Sequence, residues 1–340
     1  MATKRRAFIT GLSGTKLLDE ERAFLREAQP FGLILFKRNV EDKAQVTELV
    51  AEALSELAPE ALVLVDQEGG RVQRFGPPHW PAYPPGAVFG KIYDQDPKKG
   101  IAAAWLGARL MAADLLPMGI NTDCVPLADV PVFGSDQVIG DRAYGATPEK
   151  VAAIAAAVAE GIIGGGMMPV LKHIPGHGRA NADSHQKLPV VSADRLTLMA
   201  SDFAAFRPLK KLPLGMSAHV VFTAFDPVLP ATISPVMISE VIRGLIGFEG
   251  LLMGDDISMG ALSGTIAERA RASLKAGCDL VLHCNGKLDE MRQVAAEAPE
   301  LKGEAAQRAQ RALNTRRQPG KLDIEAARSE FAAMIDGYWA

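Results

Sequence analysis

Cysteine is scarce in this chain of 340 residues: Cys124, Cys278 and Cys284 make an odd count, and no two stand in a CxxC spacing. A disulfide framework and the common zinc or redox motifs are thereby excluded, and free thiols in a reducing compartment are expected. A basic run is missing too. Lys and Arg number 37 against 40 Asp and Glu, a net charge of −3, so nucleic-acid binding has no electrostatic support. No stretch approaches the roughly 20 continuous apolar residues of a membrane span. The N-terminal Met1–Arg6 is basic, but Ala7–Thr10 is too short for a signal-peptide core. The expectation is a cytoplasmic protein with neither a membrane nor a nucleic-acid partner. No Ser/Gly linker, internal repeat or low-complexity block divides the chain, so residues 1–340 read as a single domain.

Eight short apolar runs are present: Ala7–Gly11, Gly32–Phe36, Ala61–Val65, Asn121–Val125, Met167–Lys172, Leu214–Ala218, Leu251–Gly254 and Asp279–His283. Several are rich in Val, Ile and Leu without alternation, as strands buried on both faces are. Helical patterns between them fall over Asp42–Leu57, Pro148–Ile163, Ala193–Leu209, Pro235–Ile246 and Ile266–Ala276. Only the third connection, Gly76–Gly100, is Pro-rich and irregular. Eight strands alternating with helices imply a single (β/α)8 barrel of the TIM type. From about residue 301 the tail reads as surface helices, Gly303–Thr315 and Ile324–Met334. A Rossmann sheet would place a glycine-rich turn between strand and helix. The glycines at 161, 164, 165 and 166 instead follow a helix and precede a strand, which suits a helix C-cap and tight turn.

Polar residues collect where the runs end, the side on which such barrels carry their sites. They include Asp66 to Arg74 after the third run, Asp129 and Asp141-Arg142 after the fourth, and Lys172-His173-Ile174-Pro175-Gly176-His177-Gly178 after the fifth. His219, Asp255-Asp256 and His283 close the sixth, seventh and eighth. Singly, each has a bland explanation: Asp66 or Asp129 as a helix cap, His283 as a satisfied core histidine, Arg71 as a surface charge. As a ring they do not. Asp183 and His185, two apart in an extended loop, would share one side, and a carboxylate beside an imidazole is the pairing a general acid/base needs. A carboxylate at a strand end, as at Asp255, can attack an anomeric carbon. Asp256 is expected to cap the following helix.

Three of these segments, in order, carry a resemblance. Asp66-Gln-Glu-Gly-Gly-Arg-Val-Gln-Arg74, Lys172-His-Ile-Pro-Gly-His-Gly178 with Asp183-Ser-His185, and Gly250-Leu-Leu-Met-Gly-Asp-Asp-Ile-Ser-Met259 resemble glycoside hydrolase family 3. Within it they resemble the short bacterial β-N-acetylglucosaminidases of peptidoglycan recycling. The resemblance implies Asp255 as nucleophile, His185 as general acid/base and Asp183 as its partner. It implies substrate contacts from Asp66, Arg74, Arg142, Lys172 and His173, no metal or cofactor, a muropeptide-type carbohydrate as substrate, and a monomer. Glycines and alanines in the His185 loop suggest a mobile lid. Gly254 departs from the family's usual Ser or Thr, which would loosen Asp255, and Ile174 from its common Phe. The alternatives are a metal-dependent barrel hydrolase using His173, His177, Asp183, His185 and Asp255, a family 3 β-glucosidase or β-xylosidase, and a sugar-binding barrel without catalysis.

Overall fold

The computed structural model describes residues 5–339, so Met1–Lys4 of the basic N-terminus lie outside them. All eight apolar runs form strands: β1 Arg6–Gly11, β2 Pro30–Leu35, β3 Leu62–Val65, β4 Thr122–Asp123, β5 Met168–Ile174, β6 Leu214–Ser217, β7 Leu251–Gly254 and β8 Val281–His283. Their order is β7-β6-β5-β4-β3-β2-β1-β8, and each pairing is parallel. A parallel bridge between Met253 and Leu280 joins the two ends and closes the barrel. β4 is shorter than its apolar run because the Asn121 side chain takes over part of the pairing. Its Oδ1 accepts from the Val63 N–H at 2.9 Å and its Nδ2 donates to the Ala61 carbonyl at 3.0 Å.

Side chains alternate across each strand. Leu62 and Leu64, Met168 and Val170, Leu214 and Met216, and Leu251 and Met253 share one cluster, the filled barrel interior. Their neighbours Val63, Val65, Leu171 and Leu252 join the second cluster, between barrel and helices. The tail helices are more than surface additions. Gly303–Leu313 sends Ala309, Ala312 and Leu313 into the barrel-interior cluster, while Arg308 pairs with the buried Asp279 at 2.9 Å. Ile324–Ile335 buries Phe331 beside Gly107, where a Cβ would come within 2.9 Å of the ring.

The irregular third connection holds more order than its prolines suggested. Just before it comes a small antiparallel hairpin, Gln67–Gly69 with Val72–Gln73, and within it the helix Gly86–Gln95 forms and a second, Pro97–Leu115, begins. The second starts where Asp96 accepts from the Lys98 and Lys99 N–H groups with proline at the first helical position, a strong start signal. With its 3-10 extension to Met118 it is long and apolar enough to cross a membrane, and 61% of its most apolar window is buried in the protein. The expected helix Ala193–Leu209 is α-helical only over Arg195–Ala200, with a 3-10 turn at Arg207–Leu209. It unwinds at Ser201-Asp202, whose side chains are taken by Arg179. Pro148–Gly164 ends at its glycines as expected, with Gly166 at φ +84° making the turn into β5.

Candidate active site

Period-two geometry carries the inner face of three strands to the barrel mouth. Leu62 and Leu64 lead to Asp66, Met168 and Val170 to Lys172, and Leu251 and Met253 to Asp255. A cavity of about 440 Å³ opens there, a volume within the range of small-ligand pockets. Asp66, Arg74, Arg142, Lys172, His173, Asp183, His185 and Asp255 all line it, so the eight residues singled out in the sequence share one site.

One wall is an ion network. Lys172 is buried, and its Nζ reaches Asp66 at 2.8 Å and Glu68 at 2.7 Å. Arg74 binds the second Asp66 oxygen at 2.9 Å, and Arg142 holds Glu68 in a two-point fork at 2.8 Å each. Burial alone would raise both carboxyls. The surrounding cations outweigh it, holding Asp66 far below the carboxylate range and Glu68 at about 2. Lys172 stays protonated for the same reason, its two carboxylates overcoming burial. Glu68 lay within the polar run read from the sequence but was given no role of its own, although it stands two residues from Asp66.

A second wall is built on Asp129, which is fully buried. Burial works against its charge, yet the facing His173 and His177 keep it ionised. It accepts from His173 Nδ1 at 2.7 Å and from the His177 backbone N–H at 2.6 Å. Asp129 is therefore an orienting carboxylate and not a helix cap. His177, expected only as a possible metal ligand, is buried and neutral. Burial and the neighbouring His173 push it down to about 4, and its Nε2 meets Ser184 Oγ at 3.0 Å.

The Asp183–His185 pair forms differently from the expected extended loop. Asp183 opens a turn in which its carbonyl accepts from the Gln186 and Lys187 N–H groups. That turn brings Asp183 Oδ1 to the His185 N–H at 2.9 Å and to Nδ1 at 2.7 Å. Burial opposes the Asp183 charge, but these two donors keep it below the usual range. Because Nδ1 donates to the carboxylate, Nε2 is the nitrogen left for other chemistry. The loop has anchors of its own: Ala180 and Ala182 are buried, and Arg179 grips Asp202 at 2.9 and 3.0 Å. The loop is also tied to the segment after β7. Gly260 N–H donates to the His185 carbonyl at 3.2 Å and Ala261 N–H to that of Ser184 at 3.1 Å.

Asp255 ends β7. Burial would raise its pKa, but the facing His173 and the Asp256 N–H, at 2.8 Å from Oδ1, hold it low, so it is an anion. Asp256 caps no helix, since the next one begins with a Thr265–Glu268 capping box. It binds Ser258 N–H and Oγ and the Cys284 N–H instead. Gly254 does not leave a gap beneath Asp255, because a Cβ there would lie 2.7 Å from Thr232 Cγ2. His283 is buried, with Nε2 at 3.1 Å from Glu290. Among the described residues, no group of three His, Cys, Asp or Glu side chains is placed to hold a metal ion.

Comparison with known proteins gives the family. Residues 7–315 match the glycosyl hydrolase family 3 N terminal domain. A beta-hexosaminidase of Alkalilimnicola ehrlichii is 43% identical over 281 residues, 81% of this chain and 79% of that one. Another, from Aromatoleum aromaticum, is 35% identical over 96% of this chain and 93% of its own length. The structure of NagZ from Neisseria gonorrhoeae in complex with N-trifluoroacetyl-D-glucosamine superposes with a TM-score of 0.88. It is 33% identical, covering 98% of this chain and 99% of that one. Barrel, mouth and relatives together define a glycoside hydrolase of the β-hexosaminidase kind. The chain belongs to glycosyl hydrolase family 3.

Proposed function

We propose that this enzyme removes terminal β-linked N-acetylglucosamine from peptidoglycan fragments with net retention, through a covalent sugar on Asp255. One observation carries the reading: His185 and Asp255 line the same cavity, and the turns that bear them are hydrogen-bonded to each other through Gly260 and Ala261. In the first step His185 Nε2–H protonates the departing oxygen as Asp255 attacks the anomeric carbon. In the second the same imidazole takes a proton from water, which releases the sugar. Asp183 holds the ring orientation and stabilises the imidazolium. An anionic Asp255 suits a nucleophile, since no proton has to leave before attack.

Asp66, Arg74, Lys172 and Arg142 offer fixed acceptors and donors for sugar hydroxyls, and His173 a further polar contact. The sugar is assigned from the Neisseria gonorrhoeae relative, whose structure holds N-trifluoroacetyl-D-glucosamine. The muropeptide aglycone, a cytoplasmic location and a monomeric state belong to the same proposal. Product analysis on N-acetylglucosaminyl-anhydromuramoyl peptides beside chitobiose tests the aglycone. A glycosidase-trapping fluorosugar with an N-acetylglucosamine frame should label Asp255, as read by peptide mass mapping. Replacing Asp255 with Ala should abolish turnover of every substrate. His185→Ala should slow substrates with poor leaving groups far more than a nitrophenyl glycoside, and equal losses on both would remove the acid role. Activity lost on chelation and restored by a divalent ion would favour the metal-dependent alternative.

A further inference from the structure

Beneath Asp255 lies a chain of buried polar groups that the proposed mechanism does not use. Ser217, His219 and Thr232 are all fully buried. Ser217 Oγ stands 2.8 Å from Thr232 Oγ1, which stands 2.9 Å from His219 Nδ1, and His219 Nε2 stands 3.0 Å from the Asp256 carbonyl oxygen. The direction of these bonds follows from the last of them. A carbonyl only accepts, so Nε2 carries the proton. In a neutral ring Nδ1 is then an acceptor, and Thr232 must turn its hydroxyl hydrogen toward it. In doing so Thr232 gives up the Ala218 carbonyl at 3.1 Å, and Ser217 fills its remaining lone pair.

Asp256, held at its carbonyl by His219, supplies at its N–H the hydrogen bond to Asp255 Oδ1. Among the described residues that N–H is the one hydrogen-bond donor to the Asp255 carboxylate. Thr232 also occupies the space a side chain at position 254 would need, its Cγ2 lying 2.7 Å from the place of a Cβ. We infer that Thr232 is a positioning residue for Asp255: its hydroxyl donates to Nδ1 of the Nε2–H tautomer that the Asp256 carbonyl fixes, and so holds the ring against the Asp256 backbone that orients the carboxylate. The Gly254 position lacks a side chain of its own, and Thr232 reaches it from the 3-10 turn Ala231–Ile233. This rests on the reading of Asp255 as nucleophile.

The chain holds six histidines, few enough to assign by nitrogen-15 NMR of the intact protein. At neutral pH His219 should show a protonated Nε2 and a bare Nδ1. An Nδ1–H tautomer or a doubly protonated ring in the wild type overturns the inference, with no variant required. Thr232→Val keeps the shape but leaves Nδ1 without a partner and Ser217 with only Cys278 Sγ at 4.0 Å. It should lower kcat on a nitrophenyl N-acetylglucosaminide roughly tenfold, as a small misplacement of a reacting group does, with KM within about twofold and the His219 Nδ1 signal shifted from its wild-type position. Thr232→Ser should return kcat to within about twofold of wild type. A Val variant as fast as wild type, or a Ser variant as slow as Val, refutes the hydroxyl's role. Should the fluorosugar label a residue other than Asp255, the proposed function fails while the tautomer measurement stands by itself, so the two failures are distinguishable.

Discussion

Loss of the Glu68 charge should be costly, because the carboxylate is buried between two cations. Glu68→Gln keeps the volume and removes one charge from a site where Arg142 donates to both carboxylate oxygens at 2.8 Å and Lys172 sits 2.7 Å from one of them. The amide can accept at one atom only, so its NH2 must face a guanidinium or an ammonium. Removing one partner of a buried ion pair costs about 3–5 kcal/mol. The protonation equilibrium leads to a similar figure. Glu68 sits at about 2 against an ordinary 4.5, since Arg142 and Lys172 outweigh burial. At roughly 1.4 kcal/mol per unit that is about 3 kcal/mol of stability.

The sign is fixed by the direction of the shift. The unfolded chain holds the proton more tightly, so the contribution is complete above pH ~4.5 and disappears as pH falls through ~2. With an unfolding entropy of about 2.1 cal/mol/K per residue, the chain has roughly 0.7 kcal/mol/K, and Tm should drop about 4–7 °C at pH 7. Calorimetry of wild type and variant from pH 7 to pH 3 measures it. A Tm within 1 °C of wild type at pH 7, or a gap that stays constant as the pH is lowered, would refute the assignment of Glu68 as a buried anion.

Two glycines near Asp255 give further tests. Gly254→Ala drives a Cβ to 2.7 Å from Thr232 Cγ2 and 3.2 Å from Ser273 Oγ, which should cost about 1–3 kcal/mol. Adding Thr232→Ser removes the methyl and keeps the hydroxyl, so the double variant should recover most of that loss, and simple additivity by denaturant titration would count against the contact. Gly260→Ala places a Cβ 2.8 Å from the His185 carbonyl and 2.9 Å from that of Gln186. Displacing that turn should lower kcat on poor leaving groups by roughly a hundredfold with little change in Tm, and full activity would show that the His185 turn tolerates the shift.

Some of this was legible in the sequence because it depends on local pattern. Eight apolar runs of four to six residues read as strands buried on both sides, and the helices between them had clear start signals, as at Asp42 and Thr265. The same alternation that buries Leu62 and Leu64 aims Asp66 at the mouth, so the residues ending each run were readable as a ring. Signals that cross elements were not readable. Nothing local marks Asp129 as the partner of His173, since the two are 44 residues apart. Arg195–Ala200 stops short because Ser201 and Asp202 serve Arg179 on another loop, a tertiary demand that overrides helix propensity.

Gly254 shows where that division falls. Alone, a missing side chain beside an acidic strand end reads as slack, because sequence records only what a residue lacks. In three dimensions the same place is filled by a threonine from a turn 22 positions earlier in the chain. Strand count, strand order along the barrel and the identity of the charged ring follow from patterns of two to seven residues, which the chain carries with it wherever it folds. Which carboxylates are neutralised, which imidazoles are neutral and which tautomer each adopts follow from neighbours brought together by closure of the barrel, because electrostatic and hydrogen-bond energies depend on distances of a few ångströms that only the folded chain sets.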